Sequence, residues 1–182
     1  QLKFVNEIDR IIVSTDSDKI IAIANKMGIE SFKRSKSSSL KDSLLQVCAK
    51  IELHDHILWA NPTSPFVGQK LFSSLINEYF LHNTPVDGIV TSRVQHEFLY
   101  TETGPINLNN TAVISRDQLP DIHMITNGAY LSRCKDVLKR GRMFGEEPLF
   151  FETPWLASLE IRESEQMGLF SSLMQKYLQE EL

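Results

Sequence analysis

Residues 56–65, His-Ile-Leu-Trp-Ala-Asn-Pro-Thr-Ser-Pro, indicate the fold class because they join an apolar run to a rigid polar turn. The run 56–60 is typical of a buried strand. A helix is predicted to follow from about Gly68 to Leu81, with one apolar face at helical spacing. That face comprises Leu71, Phe72, Leu75, Ile76 and Tyr79. A strand, a turn and a helix in this order form the repeating unit of α/β folds.

The same unit occurs upstream. Arg10–Ser14 is predicted to be a buried strand, and Thr15–Asp18 is a turn rich in helix-capping residues. A helix then ends at Gly28, and its predicted buried face holds Ile20, Ile21, Ala24 and Met27. With a third strand at Gly88–Ser92, the alternation predicts a Rossmann-like three-layer α/β sandwich with a mostly parallel sheet.

The second half of the chain is less regular. Glu97–Asn110 is predicted to be a loop or hairpin, and Ser35–Ser39 a polar loop. A strand at Asn127–Leu131, a helix at Ser132–Lys139 and a late strand at Trp155–Ile161 are expected to follow. The terminal helix, Glu163–Glu181, is predicted to bury Met167, Phe170, Met174 and Tyr177. Residues 1–182 are therefore interpreted as one domain.

Composition excludes several classes of protein. The net charge of −4 argues against a nucleic-acid-binding protein, and no apolar run is long enough to span a membrane. The segment 1–10 is too polar for a signal peptide. Cys48 and Cys134 are the only cysteines, and such sparse usage suits small core residues in a reducing cytoplasm.

Polar turns at the carboxyl ends of the predicted strands are the candidate ligand sites. Asp16 follows the first strand and either contacts a ligand or caps the next helix. The prolines of Asn61–Pro65 stiffen a turn whose Thr63 and Ser64 hydroxyls either bind a polyhydroxylated acid or cap a helix.

Two further groups lie in the second half. Arg116 offers a planar fork to a carboxylate or phosphate, and Gly128 permits close backbone approach to a ligand, unless the two form only a surface ion pair and a turn. Glu160 and Arg162 are two apart on a predicted strand and so share a face. Glu160 could hold Mg²⁺ there or pair with Arg162.

Four motifs together resemble the CMP-sialic acid synthetase (acylneuraminate cytidylyltransferase) family. They are Asp9–Asp16, Asn61–Pro65, Arg116–Pro120 and Asn127–Ala129. The resemblance implies a fold of the nucleotide-diphospho-sugar transferase type and an enzyme that couples CTP to a sugar acid and releases pyrophosphate. It also implies Mg²⁺ as cofactor and a homodimer.

The resemblance also implies site residues. Asp16, Arg34 and Ser39 would contact the nucleotide, and Glu160 would hold the metal. The sugar acid would be bound by Asn61, Thr63, Ser64, Gln118, Asn127, Gly128 and Ala129. Arg116 and Arg162 are the candidate catalytic residues, with Arg162 as a partial substitute for the metal charge.

The chain departs from the family pattern at several positions. The family's N-terminal strand and triphosphate loop are expected to be missing from residues 1–182. Val67 and Ile125 stand where many members have arginine, and Arg162 replaces the second aspartate of an Asp-x-Asp metal motif. Two alternatives therefore stay open: a non-catalytic sugar-binding or interaction domain, and an enzyme for another sugar acid.

The polar stretch Glu97–Arg116 generates a prediction about assembly. The resemblance implies that it leads into an arm exchanged between two subunits, so a two-fold dimer is expected. Light scattering should give twice the 20.8 kDa mass of the chain. A monomer mass at micromolar concentration would reject this prediction.

Overall fold

The computed structural model describes residues 1–35, 39–52, 55–82, 86–108 and 115–181, with side chains of the last helix described to residue 177. The first half holds β1 (Ile12–Thr15), α1 (Asp18–Lys26), β2 (Glu30–Lys33), α2 (Leu40–Cys48), β3 (His56–Ala60) and α3 (Gln69–Leu81). The second half holds β4 (Ile89–Gln95), β5 (Tyr100–Thr101), β6 (Gly104–Pro105), β7 (Ile122–Arg133), α4 (Cys134–Arg140), β8 (Leu149–Glu152) and α5 (Met167–Glu181). None of the described helices is long and apolar enough to cross a membrane.

The central sheet has four strands in the order β3-β7-β4-β8. β7 is antiparallel to both β3 and β4, whereas β8 is parallel to β4. Three strands therefore run in one direction and β7 runs against them. β1 and β2 form a separate parallel pair. In the described part of the chain, no strand pairs with the edge of β3 that faces away from β7 or with the edge of β1 that faces away from β2.

Helices cover both faces of the central sheet. Ile89 packs in a core cluster with residues of α3, whereas its neighbour Val90 packs in a second cluster with residues of α2 and α4. Successive residues of a strand point to opposite faces, so the two clusters lie on opposite sides of the sheet. The predicted α/β class and its three layers are thus confirmed.

Both cysteines are in the second cluster. Cys48 and Cys134 are free thiols and are buried, as predicted. Burial raises the pKa of Cys48 to about 12. A thiol that stays protonated at neutral pH is a poor nucleophile, so these residues behave as small core side chains.

The predicted helix faces are only partly correct. The apolar face of α3 packs in the core as expected. On α1, however, Ala24 is buried while Ile20 and Met27 are 46% and 54% exposed, because α1 lies against only the two-stranded pair. On α5, Phe170 is buried but Met167 is exposed, contrary to the prediction.

The predicted strand at Trp155–Ile161 is wrong. Leu156–Ser158 form a 3-10 helix, in which the Ser158 amide donates to the carbonyl of Trp155 at 3.1 Å and the Leu159 amide donates to the carbonyl of Leu156 at 3.2 Å. These local bonds replace the ladder bonds that a strand would need. The last strand of the sheet is instead β8, and the segment that carries Glu160 follows the 3-10 turn as an extended loop.

The other two loop predictions have different outcomes. Residues within 97–110 form the β5–β6 hairpin, in which Tyr100 pairs with Pro105, so the hairpin alternative is confirmed for its described part. Residues 109–114 lie outside the described residues. In the predicted polar loop Ser35–Ser39, residues 36–38 also lie outside them.

A large bulge interrupts the pairing of β4 with β7. Val90 pairs with Tyr130 and Ser92 pairs with Ile125, so four residues of β7, 126–129, lie opposite the single residue Thr91. The buried Thr91 hydroxyl accepts hydrogen bonds from the amides of Gly128 and Ala129, each at 3.0 Å. It also lies 3.3 Å from the Ala129 carbonyl, to which it donates. One side chain thus satisfies backbone groups that the ladder leaves unpaired.

The bulge also explains Gly128. A Cβ at this position would lie 2.7 Å from Cγ2 of Val67 and 3.1 Å from the Thr91 hydroxyl. Close packing against these side chains therefore requires glycine, while the approach of a ligand stays a prediction.

The bulge predicts a large stability effect for Thr91→Val. Valine has the same shape but leaves two buried amides without an acceptor, so the free energy of unfolding should fall by about 2–4 kcal/mol. Urea denaturation measures this change. Ser92→Ala is the matched control, because the buried Ser92 hydroxyl has no hydrogen-bond partner among the described residues and its loss should cost less than about 1 kcal/mol. Equal losses in the two variants would contradict the role of Thr91.

Candidate functional site

The turn after β3 contacts the bulge of β7 through Asn61. The Asn61 amide donates to the carbonyl of Gly128 at 3.2 Å, and its side-chain Nδ2 donates to the carbonyl of Asn127 at 2.6 Å. The Trp59 indole donates to Asn61 Oδ1 at 2.9 Å. A carboxamide has two N–H donors and two lone pairs, so among the described residues one of each is left open to a ligand.

Asn127 occupies the left-handed region, with φ 56°, and is the one non-glycine residue to do so in the described chain. Its Oδ1 accepts a short hydrogen bond from the Tyr130 hydroxyl, and its Nδ2 lies 3.4 Å from Glu160 Oε2. Burial, followed by the nearby charge of Glu160, raises the pKa of Tyr130 to about 12. The phenol therefore stays protonated at neutral pH and fixes the orientation of the Asn127 amide.

Thr63 and Glu160 complete this group of residues. Thr63 Oγ1 lies 3.4 Å from Glu160 Oε1, and the Ile161 amide donates to the Thr63 carbonyl at 2.8 Å. The backbone bond holds the late loop against the turn after β3. We call Asn61, Thr63, Asn127, Tyr130 and Glu160 the Asn127 cluster.

Sequence reasoning identified four members of the Asn127 cluster but missed Tyr130 and the supporting Trp59. Both flank the quoted motifs, and a buried tyrosine or tryptophan needs a partner for its polar tip, which was the available signal. Ser64, also predicted, is buried beside Thr63, and its hydroxyl has no partner among the described residues. Ala129 is fully buried, so it positions the bulge and does not face a ligand.

The predicted Mg²⁺ does not fit the residues around Glu160. Arg162 Nε lies 2.9 Å from Glu160 Oε2, so a fixed positive charge already neutralises the carboxylate. Within the described residues no three His, Cys, Asp or Glu side chains form a group that could hold a metal. Mg²⁺ requires near-octahedral oxygen ligands, and a neighbouring guanidinium repels it.

Two of the predicted nucleotide contacts lie at the ends of β1 and β2. The Arg34 amide donates to the Thr15 carbonyl at 2.8 Å, and its Nη1 donates to Ser43 Oγ at 2.8 Å. The Arg34 Nε is buried with no partner among the described residues. Asp16 is exposed directly after β1, and Ser17 rather than Asp16 occupies the N-cap of α1.

Ser39, the third predicted nucleotide contact, caps α2. Its hydroxyl accepts from the Asp42 amide at 3.1 Å, and the Asp42 carboxylate accepts from the Ser39 amide at 3.1 Å. The hydrogen bonds from the Ser39 hydroxyl and then from its amide lower the pKa of Asp42. A nucleotide contact by Ser39 stays a prediction.

Arg116 and Gln118 are not part of the Asn127 cluster. Arg116 forms a 3.1 Å ion pair with Glu97, and Gln118 Oε1 accepts from the Ser115 amide at 3.2 Å. A separate polar cavity of about 460 Å³ is lined by Arg93, Val94, Gln95, His96, Glu97, Arg116 and Asp117. Of the predicted sugar-acid residues, Gln118 therefore lies apart from the Asn127 cluster, and the predicted catalytic residue Arg116 lines this separate cavity.

Solved structures with the same architecture define the class of the fold. A 4-diphosphocytidyl-2C-methyl-D-erythritol synthase from Anaerococcus prevotii DSM 20548 superposes with a TM-score of 0.70 at 16% identity, over 96% of this chain and 82% of that one. Another synthase of the same name gives 0.65 at 10% identity, over 94% and 84%. A CMP:2-keto-3-deoxy-manno-octonic acid synthetase complexed with CTP gives 0.66 at 12% identity, over 96% and 84%. The fold is that of the nucleotide-diphospho-sugar transferases.

The family follows from the sequence itself. Residues 1–174 match the family model described as Cytidylyltransferase, so the chain belongs to the cytidylyltransferase family. No curated protein sequence matches the chain. The family assignment supports a nucleotidyltransferase that uses CTP.

The capping box predicts a measurable effect of Ser39→Ala. Loss of the cap should lower the free energy of unfolding by about 1 kcal/mol at neutral pH, while Ser39→Asn should retain most of it. The Asp42 carboxylate contributes stability above its ordinary pKa of 3.8, and this contribution is lost as the pH falls through the lowered folded-state value. The difference between parent and Ser39→Ala should therefore shrink in acid. Thermal unfolding at several pH values tests this, and a difference independent of pH would contradict the carboxylate's part in the cap.

Proposed function

We propose that this cytidylyltransferase activates a sugar acid with CTP, giving a CMP-sugar and pyrophosphate. The Asn127 cluster is the observation that carries the proposal. Its two carboxamides, two hydroxyls and one carboxylate suit the alternating donors and acceptors of a polyhydroxylated ligand. One structural neighbour is named as a synthetase for 2-keto-3-deoxy-manno-octonic acid and contains CTP, which supports this substrate class.

The proposed reaction is an in-line substitution at the α-phosphorus of CTP. A hydroxyl oxygen of the sugar acid forms the new O–P bond, the bond to the bridging oxygen of the β-phosphate breaks, and pyrophosphate leaves. The hydroxyl proton passes to solvent. Positioning and charge neutralisation account for most of the acceleration in such a reaction.

Each part of the site has a proposed role. The free N–H and lone pair of Asn61, together with Thr63, bind sugar hydroxyls, while Asp16 and Arg34 contact the nucleotide. Arg34 suits this role because its buried Nε lacks a partner within the described residues. Ser39 is given no separate role in the proposed site, because its hydroxyl and its amide are both bonded to Asp42 in the cap.

The polar cavity beside Arg116 is the proposed place for the distal part of the sugar acid. Arg93 and Arg116 supply cationic groups and Gln95 an amide, a mixture that suits a hydroxylated carboxylic acid. The nearby hairpin exposes Phe98 and Tyr100, which supports the proposed homodimer because aromatic side chains are enriched in interfaces.

A non-catalytic sugar-binding domain is the second candidate. The ion pair between Glu160 and Arg162 favours it, because the carboxylate that the resemblance assigns to a metal is already neutralised. Such a domain would keep the sugar-acid contacts but would not turn over CTP.

Pyrophosphate release tests the proposed function. The chain should release pyrophosphate from CTP with 2-keto-3-deoxy-manno-octonic acid, N-acetylneuraminic acid or a related acid. Asn61→Asp should lower kcat/KM at least about tenfold, because the donor to Asn127 is lost and a charge is added. Asn25→Asp, an exposed position that accepts from Ser31, is the matched control and should leave turnover unchanged.

Two results would overturn the enzyme proposal. The first is the absence of pyrophosphate with every acid and with CTP, both for this chain and for the longest protein that its gene encodes. The second is saturation-transfer NMR that shows binding of a sugar acid without turnover, which would establish the non-catalytic domain.

A further inference from the structure

We infer that Arg162 occupies the place of a metal ion and forms a metal-independent binding site for a phosphate-bearing ligand beside the Asn127 cluster. The ligand class rests on the proposed function, in which the phosphate belongs to the nucleotide. The residues that hold Arg162, its open donors and its neighbour Glu160 each contribute to the argument.

The backbone around Arg162 is fixed on both sides. The Ile161 amide donates to the Thr63 carbonyl at 2.8 Å, and the Arg162 amide donates to Gln166 Oε1 at 2.7 Å. The Glu163 amide shares the same Gln166 acceptor at 3.1 Å. The backbone of three consecutive residues is therefore held against the turn after β3 and the 3-10 turn Ser164–Gln166 that precedes α5.

Glu160 orients the guanidinium and leaves most of it open. The Glu160 side chain is 18% exposed and accepts from Arg162 Nε, whereas the Arg162 side chain is 70% exposed. Within the described part of the chain, neither Nη of Arg162 makes a hydrogen bond or ion pair. A guanidinium has five N–H donors, so the four on its two Nη atoms are available to a ligand.

This arrangement suits an oxyanion and opposes a cation. The planar donors of arginine match two oxygens of a phosphate at once. Glu160 contributes one negative charge and Arg162 one positive charge, so a divalent cation placed there would meet an already neutralised carboxylate. The long 3.4 Å contacts from Thr63 and Asn127 further occupy both oxygens of Glu160.

Pyrophosphate is the probe for the anion, in buffer that contains EDTA. Titration should shift the Arg162 Nε–H resonance in the NMR spectrum of the full 182-residue chain. Arg162→Gln should weaken binding at least about tenfold, the loss expected for charge-assisted hydrogen bonds. Arg142→Gln is the matched control, because Arg142 is also exposed and paired with a carboxylate, Glu146. The affinity of this variant for pyrophosphate should equal that of the parent. Unchanged binding in Arg162→Gln would overturn the inference.

Manganese is the probe for the cation. In the parent, Mn²⁺ should not selectively broaden the Asn127 side-chain amide, whereas Arg162→Asp creates a carboxylate pair with Glu160 and should produce that broadening. Selective broadening in the parent would overturn the inference.

Neither readout requires turnover: if pyrophosphate binding depends on Arg162 but no acid is activated, only the proposed function fails. Turnover that requires Mg²⁺ and is unaffected by Arg162→Gln would reject this inference alone.

Discussion

The hydroxyl of Thr91 allows four residues of one strand to lie opposite a single residue of the next. It accepts from the amides of Gly128 and Ala129 in the interior of the sheet, where no water is available to replace a missing acceptor. The detour that it stabilises turns Asn127 out of the ladder in a left-handed conformation. Without this internal acceptor the amides of Gly128 and Ala129 would be buried and unpaired.

The Asn127 cluster depends on that detour from several sides. Asn61 reaches the carbonyls of Asn127 and Gly128 only because the bulge presents them to the turn after β3. Tyr130, which follows the bulge, then sets the amide's direction through a phenol that burial keeps protonated. The polar side chains of the Asn127 cluster therefore orient one another before any ligand binds. This arrangement limits the entropy lost on binding.

Charge decides what the cluster can accept. A carboxylate alone, such as Glu160, would attract a divalent cation, but Arg162 converts the same place into a neutral pair with open donors. The site therefore favours anions.

The sequence by itself determined the local units and the motif residues. Apolar periodicity located α3 and its buried face. The stiff turn after β3 was predicted as a candidate site because prolines and hydroxyls have the same preferences in any fold. Periodicity could not decide which helix faces would be covered, and Ile20, predicted to be buried on α1, is exposed. It also could not foresee the reversed direction of β7, the 3-10 turn at Leu156–Ser158 or the distance between Arg116 and the cluster. These features depend on contacts between residues far apart in the chain, which only the tertiary structure brings together.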